Sequence, residues 1–268
     1  MSVPTDAAAD HPDAPSLPDA PLRTSRLLTF AGLAGLAAGL IAWAIGEPTQ
    51  HVFAPPISYI EAFGSRTPKV DRLDQIRVDY KNALVAYGLL GGSLGLCLGL
   101  AGGLARRSVA LGVKAGVLGL VVGSLLATAA GAAILPAYYH AEEVDQETLS
   151  QDLLLPLLVH AGCWGVAGLA GGLILGWSLQ APDPLGRKRP ALGAIGGLLG
   201  AVLAAIIFEV VGGFAFTNDK TGEPVSRTVA TRLIARVLVG LLSGSMAALV
   251  VNSSSRPKPA QPAAPPTA

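Results

Sequence analysis

The chain has 268 residues, of which 51% are hydrophobic and only 14% are charged, and its formal net charge is +1. Water-soluble domains carry about 25% charged residues, so this composition excludes an ordinary soluble domain. A net charge so close to zero gives no overall attraction for polyanions, and we therefore expect no nucleic-acid partner. The partner that the composition predicts is the lipid bilayer.

Both ends of the chain differ in composition from its middle. Residues 1–22 and 253–268 are rich in Pro and Ala, with little that a core could bury. Such segments do not gain enough from burial to offset the entropy of ordering, so we predict a disordered tail at each end. Residues 23–252 are predicted to form the membrane domain.

Six apolar stretches are each long enough to cross a bilayer, which takes about 20 helical residues. In chain order they cover approximately residues 27–46, 83–105, 111–135, 153–177, 191–216 and 229–251. The predicted fold class is therefore an all-α integral membrane protein, a six-transmembrane helix bundle.

Lys and Arg are concentrated beside one set of span ends. These bases are Arg23, Arg26, Arg106, Arg107, Lys114, Arg187, Lys188, Arg189, Arg256 and Lys258. On the opposite side, residues 141–152 carry five acids and no base. The positive-inside rule then predicts that both termini are cytoplasmic. We expect the chain in a plasma membrane, specifically the bacterial inner membrane.

Glycines recur in the spans with one spacing. Five spans carry the pattern G-x-x-G-x-x-x-G, and the sixth keeps only the middle glycine. The recurrence predicts three tandem helical hairpins, at 27–105, 109–180 and 190–252. Small residues let helices approach closely in lipid, either within one chain or in a homo-oligomer or gated pore. The predicted packing glycines are Gly35, Gly39, Gly95, Gly99, Gly119, Gly123, Gly168, Gly172, Gly196, Gly200 and Gly244.

Polar residues recur at one level of this repeat. Tyr87, His160 and Arg236 each stand eight residues before the middle glycine of a span. Glu209 lies at the same depth as Arg236 if the last two spans form a hairpin. Ionised groups inside a bilayer are usually paired or face a cavity. We therefore predict a Glu209–Arg236 ion pair, with His160 and Tyr87 lining an outward-facing cavity. The alternative is a purely structural ion pair, together with a buried His160 and an interfacial Tyr87 bonded to backbone.

Two further expectations concern the outer end of the bundle. Arg232 lies closer to the membrane surface than Arg236 and is expected to extend its guanidinium to the headgroups. Thr67-Pro68 resembles a helix start, since Thr is a good N-cap and Pro suits the first turn. We therefore predict a short amphipathic helix from that point into the second span.

The sequence contains no pattern typical of an enzyme. There is no nucleotide-binding loop, nucleophile–base set or haem motif, and Cys97 and Cys163 match no metal or disulfide framework. We expect a non-enzymatic protein without cofactor or metal, acting as a structural or assembly component of the membrane. The alternative is a transporter or channel for a small solute or ion, with its polar site in the outer third of the bilayer. Expected partners are lipid, further copies of the chain or other membrane proteins.

Overall fold

The computed structural model describes residues 24–62, 65–144, 153–180, 186–215 and 222–253. Within these residues six α-helices are long and apolar enough to cross a membrane, which confirms the predicted all-α six-span bundle. They are α1 (Thr24–Thr49), α2 (Arg72–Ala105), α3 (Val109–Val144), α4 (Leu154–Ser178), α5 (Arg189–Ala215) and α6 (Val229–Ser253). A 3₁₀ turn at Gly186–Lys188 precedes α5. The predicted tail at 1–22, and that at 253–268 beyond its first residue, lie outside the described residues.

Helices α2 and α3 are longer than the apolar stretches that predicted them. α2 has 34 residues, a length of about 50 Å at 1.5 Å per residue. It begins at Arg72 because the Asp71 side chain caps it, accepting a hydrogen bond from Leu73 N at 3.1 Å. The rings of Tyr80 in α2 and Tyr139 in α3 pack edge to face with centroids 6.3 Å apart. The two helices therefore support each other beyond the apolar spans.

The connection between α1 and α2 contains a β-hairpin that the sequence did not predict. Strands β1 (Ile57–Ala62) and β2 (Ser65–Val70) pair antiparallel, with Tyr59 opposite Pro68. The predicted helix start at Thr67-Pro68 is therefore wrong, since both residues lie in β2, whereas a helix that runs into the second span does precede it and begins at Arg72. Pro is also tolerated in an edge strand because its missing N–H is not needed there, so the Thr-Pro pair did not distinguish the two structures.

The bundle has three inner and three outer helices. In α2, α4 and α6, at least half of the residues in the most apolar segment of the helix are buried inside the bundle. In α1, α3 and α5 the buried share of that segment is less than half. Each outer helix lies between two inner ones: α1 between α6 and α2, α3 between α2 and α4, and α5 between α4 and α6. The inner helices enter from the end of the bundle that carries the β-hairpin. These three helices therefore run through the bundle in the same direction.

Glycines allow the closest helix contacts. A Cβ added at Gly95 would overlap the Gly119 carbonyl, one at Gly172 that of Gly193, and one at Gly35 that of Gly240. These contacts pack α2 against α3, α4 against α5, and α1 against α6. Every predicted packing glycine lies against the backbone of a neighbouring helix; Gly196 and Gly200 lie against α6.

The three glycine contacts between α2 and α3, α4 and α5, and α1 and α6 join helices that belong to different predicted hairpin units. The α1–α6 contact closes the ring by packing the first described helix against the last. These contacts do not test whether the three units are copies of one ancestral hairpin. The tandem repeat therefore stays a prediction.

Candidate functional site

Four polar residues predicted at one level are all buried. Tyr87 in α2 is 3% exposed, His160 in α4 1%, Arg236 in α6 8% and Glu209 in α5 3%. Because polar and ionisable groups are unfavourable in lipid without partners, their hydrogen bonds decide what this level can do. The structure divides the four into two places.

His160 and Glu209 form one of these places, a buried pair between α4 and α5. The His160 Nδ1 hydrogen-bonds the Glu209 Oε1. The His160 ring lies 4.5 Å from the Trp164 ring and 5.9 Å from that of Phe208, centroid to centroid. Neither His160 nor Glu209 lines either of the two cavities described below, whereas Trp164 lines the smaller one.

The His160–Glu209 hydrogen bond requires a proton that either group can carry. Nδ1–H can donate to the carboxylate, or a neutral carboxyl can donate to Nδ1. The second carboxyl oxygen, Oε2, is buried and has no hydrogen-bond partner among the described residues. Oε2 is therefore an unused acceptor, and the rings of Trp164 and Phe208 pack against the His160 side of the pair.

The predicted Glu209–Arg236 ion pair is wrong. Glu209 lies against α4 and bonds His160, whereas Arg236 lies against α1 and donates from Nη1 to the Ala42 carbonyl. The two residues were matched by depth in a hairpin. Depth does not determine the direction in which a side chain leaves its helix, and α5 and α6 direct these two towards different neighbours.

Arg236 is the centre of the second place. Its guanidinium lies close against α1 because Gly46 has no side chain; a Cβ there would be only 2.8 Å from Cζ and 2.9 Å from Nη2. The Ala42 carbonyl is the hydrogen-bond acceptor found for this guanidinium among the described residues. A guanidinium has five N–H donors, so most of its hydrogen-bonding capacity remains available.

Arg232, one turn before Arg236, is paired and buried, so the expected extension to the headgroups is wrong. It is 6% exposed and donates to both oxygens of Glu47, from Nε at 2.8 Å and from Nη2 at 2.7 Å. Its Nη1 donates to the Ser226 carbonyl at 3.0 Å and to that of Arg227. The predicted first span ends at residue 46, so Glu47 fell outside it. Its role was missed because a contact between α1 and α6 was not predicted.

Tyr87 ties the segment before α6 to the inner helices. Its hydroxyl donates to the Pro224 carbonyl at 2.6 Å. Together with the Arg232 contacts, this bond holds residues 224–227 over the end of the bundle. Tyr87 therefore bonds to backbone, as the structural alternative expected.

Two cavities open beside Arg236. The larger has a volume of about 340 Å³, and its wall includes Asp79, Glu223, Arg227 and Arg236. The smaller, of about 30 Å³, lies between Tyr87, Trp164 and Arg236 and has room for about one water molecule. Arg236 thus faces both cavities, while Trp164 separates the smaller one from His160.

The described residues contain no further obvious chemical centre. Cys97 and Cys163 are free and buried. Within the ranges that the structure describes, no three His, Cys, Asp or Glu side chains come together as a metal site. Comparison with protein families, with curated proteins and with solved structures gives no match for this chain. Function is therefore argued from the buried pair and the cavity alone.

Proposed function

We propose that this chain is a non-enzymatic structural or assembly component of a membrane. The observation that carries the proposal is the sealed His160–Glu209 pair. A proton or ion carrier needs its intramembrane ionisable groups to face a water-filled path. Here the pair is 1% and 3% exposed and lines neither cavity, which supports a role in holding α4 against α5.

Glycine packing gives independent support to a static bundle. Helix backbones meet at Gly95 and Gly119, at Gly172 and Gly193, and at Gly35 and Gly240. Such contacts leave no room for water between the paired helices. A bundle with close contacts along three helix pairs is suited to keep one shape and to present its outer helices to lipid or to other membrane proteins.

Proton flux in vesicles tests this function. The full chain and its Glu209→Gln variant are reconstituted into liposomes that contain a pH-sensitive dye, and an imposed pH gradient is followed. We expect both to lose the gradient at the rate of protein-free liposomes. Faster loss with the wild-type chain that Glu209→Gln abolishes would contradict the structural role and indicate proton transport.

The second candidate function is a transporter or channel for a small solute, with its site at the polar level. The cavity of about 340 Å³ favours it, because the cavity reaches the membrane-embedded Arg236. Transporters often hold their substrates at polar groups within the membrane, between structural repeats. Uptake of radiolabelled solutes into the same liposomes, compared between the wild-type chain and Arg236→Gln, distinguishes this function from the first.

We also propose an orientation and a history for the bundle. Both termini face the cytoplasm of a bacterial inner membrane, supported by the bases in the short connections after α2 and before α5, among them Arg106, Arg107 and Lys188. The six helices derive from three tandem hairpins, supported by the shared glycine spacing and by Tyr87, His160 and Arg236 at one level of the inner helices.

A further inference from the structure

Arg236 combines burial, charge and free hydrogen-bonding capacity in one side chain. It is 8% exposed and lies in a membrane-spanning helix, where a cation without a partner is strongly unfavourable. Its one hydrogen bond among the described residues goes to a backbone carbonyl, that of Ala42. The nearby carboxylate of Glu47 is already used by Arg232, at both oxygens.

Among the described residues, no carboxylate in the wall of the larger cavity forms an ion pair with Arg236. Three cations, Arg227, Arg232 and Arg236, stand in its wall. Arg227 pairs with Glu223 at 2.7 Å and Arg232 with Glu47 at 2.7 Å. The remaining acid in the wall is Asp79, whose side chain is exposed and accepts a hydrogen bond from Gln75. Among the described cations of this wall, the one without an ion pair is therefore the Arg236 guanidinium.

We propose that the cavity of about 340 Å³ binds a small, singly charged oxyanion, a carboxylate or a phosphate diester, anchored on Arg236. A planar guanidinium donates two parallel hydrogen bonds to either group. The volume is at the lower end for small-molecule sites, about 300–1,000 Å³. One unmatched cation compensates one negative charge, and Asp79 and Glu223 in the wall disfavour a second. This binding function goes beyond the structural role proposed above and does not depend on it.

Gly46 supports this assignment because it determines where the guanidinium lies. A methyl group at that position would stand 2.8 Å from the Arg236 Cζ and would push the guanidinium off α1. Gly46→Ala therefore alters the proposed site through a residue of α1, while the Arg236 side chain itself is kept. If Arg236 were purely structural, this variant would lose the hydrogen bond to Ala42. Added anions would then have no effect on the wild-type chain or on the variant.

Thermal unfolding of the purified full chain in maltoside micelles tests the proposal with two soluble probes. Acetate represents the carboxylate and dimethyl phosphate the phosphate diester, each exchanged for chloride at constant ionic strength. A ligand that binds only the folded state raises the unfolding midpoint, and we expect a rise of about 2–4 °C near saturation. No rise with either probe, in micelles or in the lipid experiment below, would overturn the proposal.

Matched variants show which residues are responsible for any rise in the unfolding midpoint. Arg236→Gln should abolish it, and Gly46→Ala should reduce it at least severalfold in apparent affinity. Arg26→Gln removes the same charge from an exposed position at the other end of the bundle and should leave the rise unchanged. If Arg236→Gln fails to fold, Ala86→Phe, which fills the cavity wall beside Arg236, replaces it. The site would be overturned if the anion raised the unfolding midpoint of Arg236→Gln as much as that of Arg26→Gln. The same holds if it raised the midpoint of Ala86→Phe as much as that of Arg26→Gln.

A second pair of conditions distinguishes a free anion from a lipid headgroup. The chain is placed in nanodiscs of an uncharged galactolipid, with or without phosphatidylglycerol. If the occupant is a headgroup, phosphatidylglycerol raises the midpoint of the wild-type chain and not that of Arg236→Gln. If the occupant is a free anion, acetate or dimethyl phosphate raises it in the galactolipid alone, and phosphatidylglycerol has no effect.

Discussion

Glu47 near the end of α1 and Arg232 in the first turn of α6 form a two-point ion pair. Nε meets Oε1 at 2.8 Å and Nη2 meets Oε2 at 2.7 Å. Two N–H groups that donate to the two oxygens of one carboxylate form one of the strongest types of charged hydrogen bond in proteins. It joins residues 185 positions apart in the chain and fixes the end of α1 to the start of α6.

We expect this ion pair to contribute measurably to stability. In unfolding by dodecyl sulfate in mixed micelles, Glu47→Gln and Arg232→Gln should each lower the free energy of unfolding. Their double variant should show a coupling of about 1–3 kcal/mol, since the two groups share one interaction. The matched cycle with Glu209→Gln and Arg236→Gln should be additive, because those two residues bond different partners. Coupling in the second cycle and none in the first would contradict the assignments.

The His160–Glu209 pair should behave as an interhelical hydrogen bond. Glu209→Ala removes the partner of a buried ring nitrogen and should lower the free energy of unfolding by about 1–2 kcal/mol. Glu209→Gln keeps an acceptor and a donor of similar shape and should lower it less. The same detergent titration measures both. Equal losses in the two variants would mean that the charge, and not the hydrogen bond, stabilises α4 against α5.

Packing at the α2–α3 contact predicts a sharp difference between two glycines. Gly95→Ala would press a methyl group into the Gly119 backbone, and overpacking of this kind lowers stability by about 1–3 kcal/mol. Gly213 in α5 is exposed and has no atom within 4 Å of an added Cβ. Gly213→Ala should therefore leave stability unchanged or raise it by up to about 1 kcal/mol through helix propensity. A Gly95→Ala variant as stable as the wild type would contradict the described helix contact.

Cysteine labelling tests the proposed orientation. Cys97 is 8% exposed and Cys163 is fully buried, so the wild-type chain should react poorly with a membrane-impermeant maleimide and serves as the control. Thr67→Cys in β2 should react in intact cells. Ser253→Cys at the end of α6 should react only after the cells are made permeable. The reverse pattern would place the termini outside.

The sequence was sufficient for the helices and for which positions pack closely, because both depend on local composition. Lipid-crossing length identified all six spans, and glycine spacing pointed to positions where backbones meet. The same reasoning paired Glu209 with Arg236 and left Glu47 unassigned. Depth along a helix can be counted in a sequence, but the direction of a side chain around the helix axis depends on which neighbours the helix acquires.

The polar residues before α2 were misread for a different physical reason. Thr67-Pro68 has the chemistry of a helix start, but the edge of a two-stranded hairpin accepts the same pair, and Asp71 supplies a cap four residues later. The local conformational preference of Thr67-Pro68 is similar for a helix start and for an edge strand. Pairing of Ile57 with Val70 across the hairpin is a longer-range contact that no local pattern displays.

The contact between α1 and α6 has a consequence for synthesis of the chain. Membrane helices are made and inserted in order, so α1 enters the bilayer long before α6 exists. Until then Glu47 has no arginine, and the glycine surface of α1 at Gly35 and Gly39 has no helix to cover it. A chain whose synthesis stops before Arg232 therefore leaves the Glu47 carboxylate unpaired and this glycine surface uncovered. Only a chain translated through α6 conceals both.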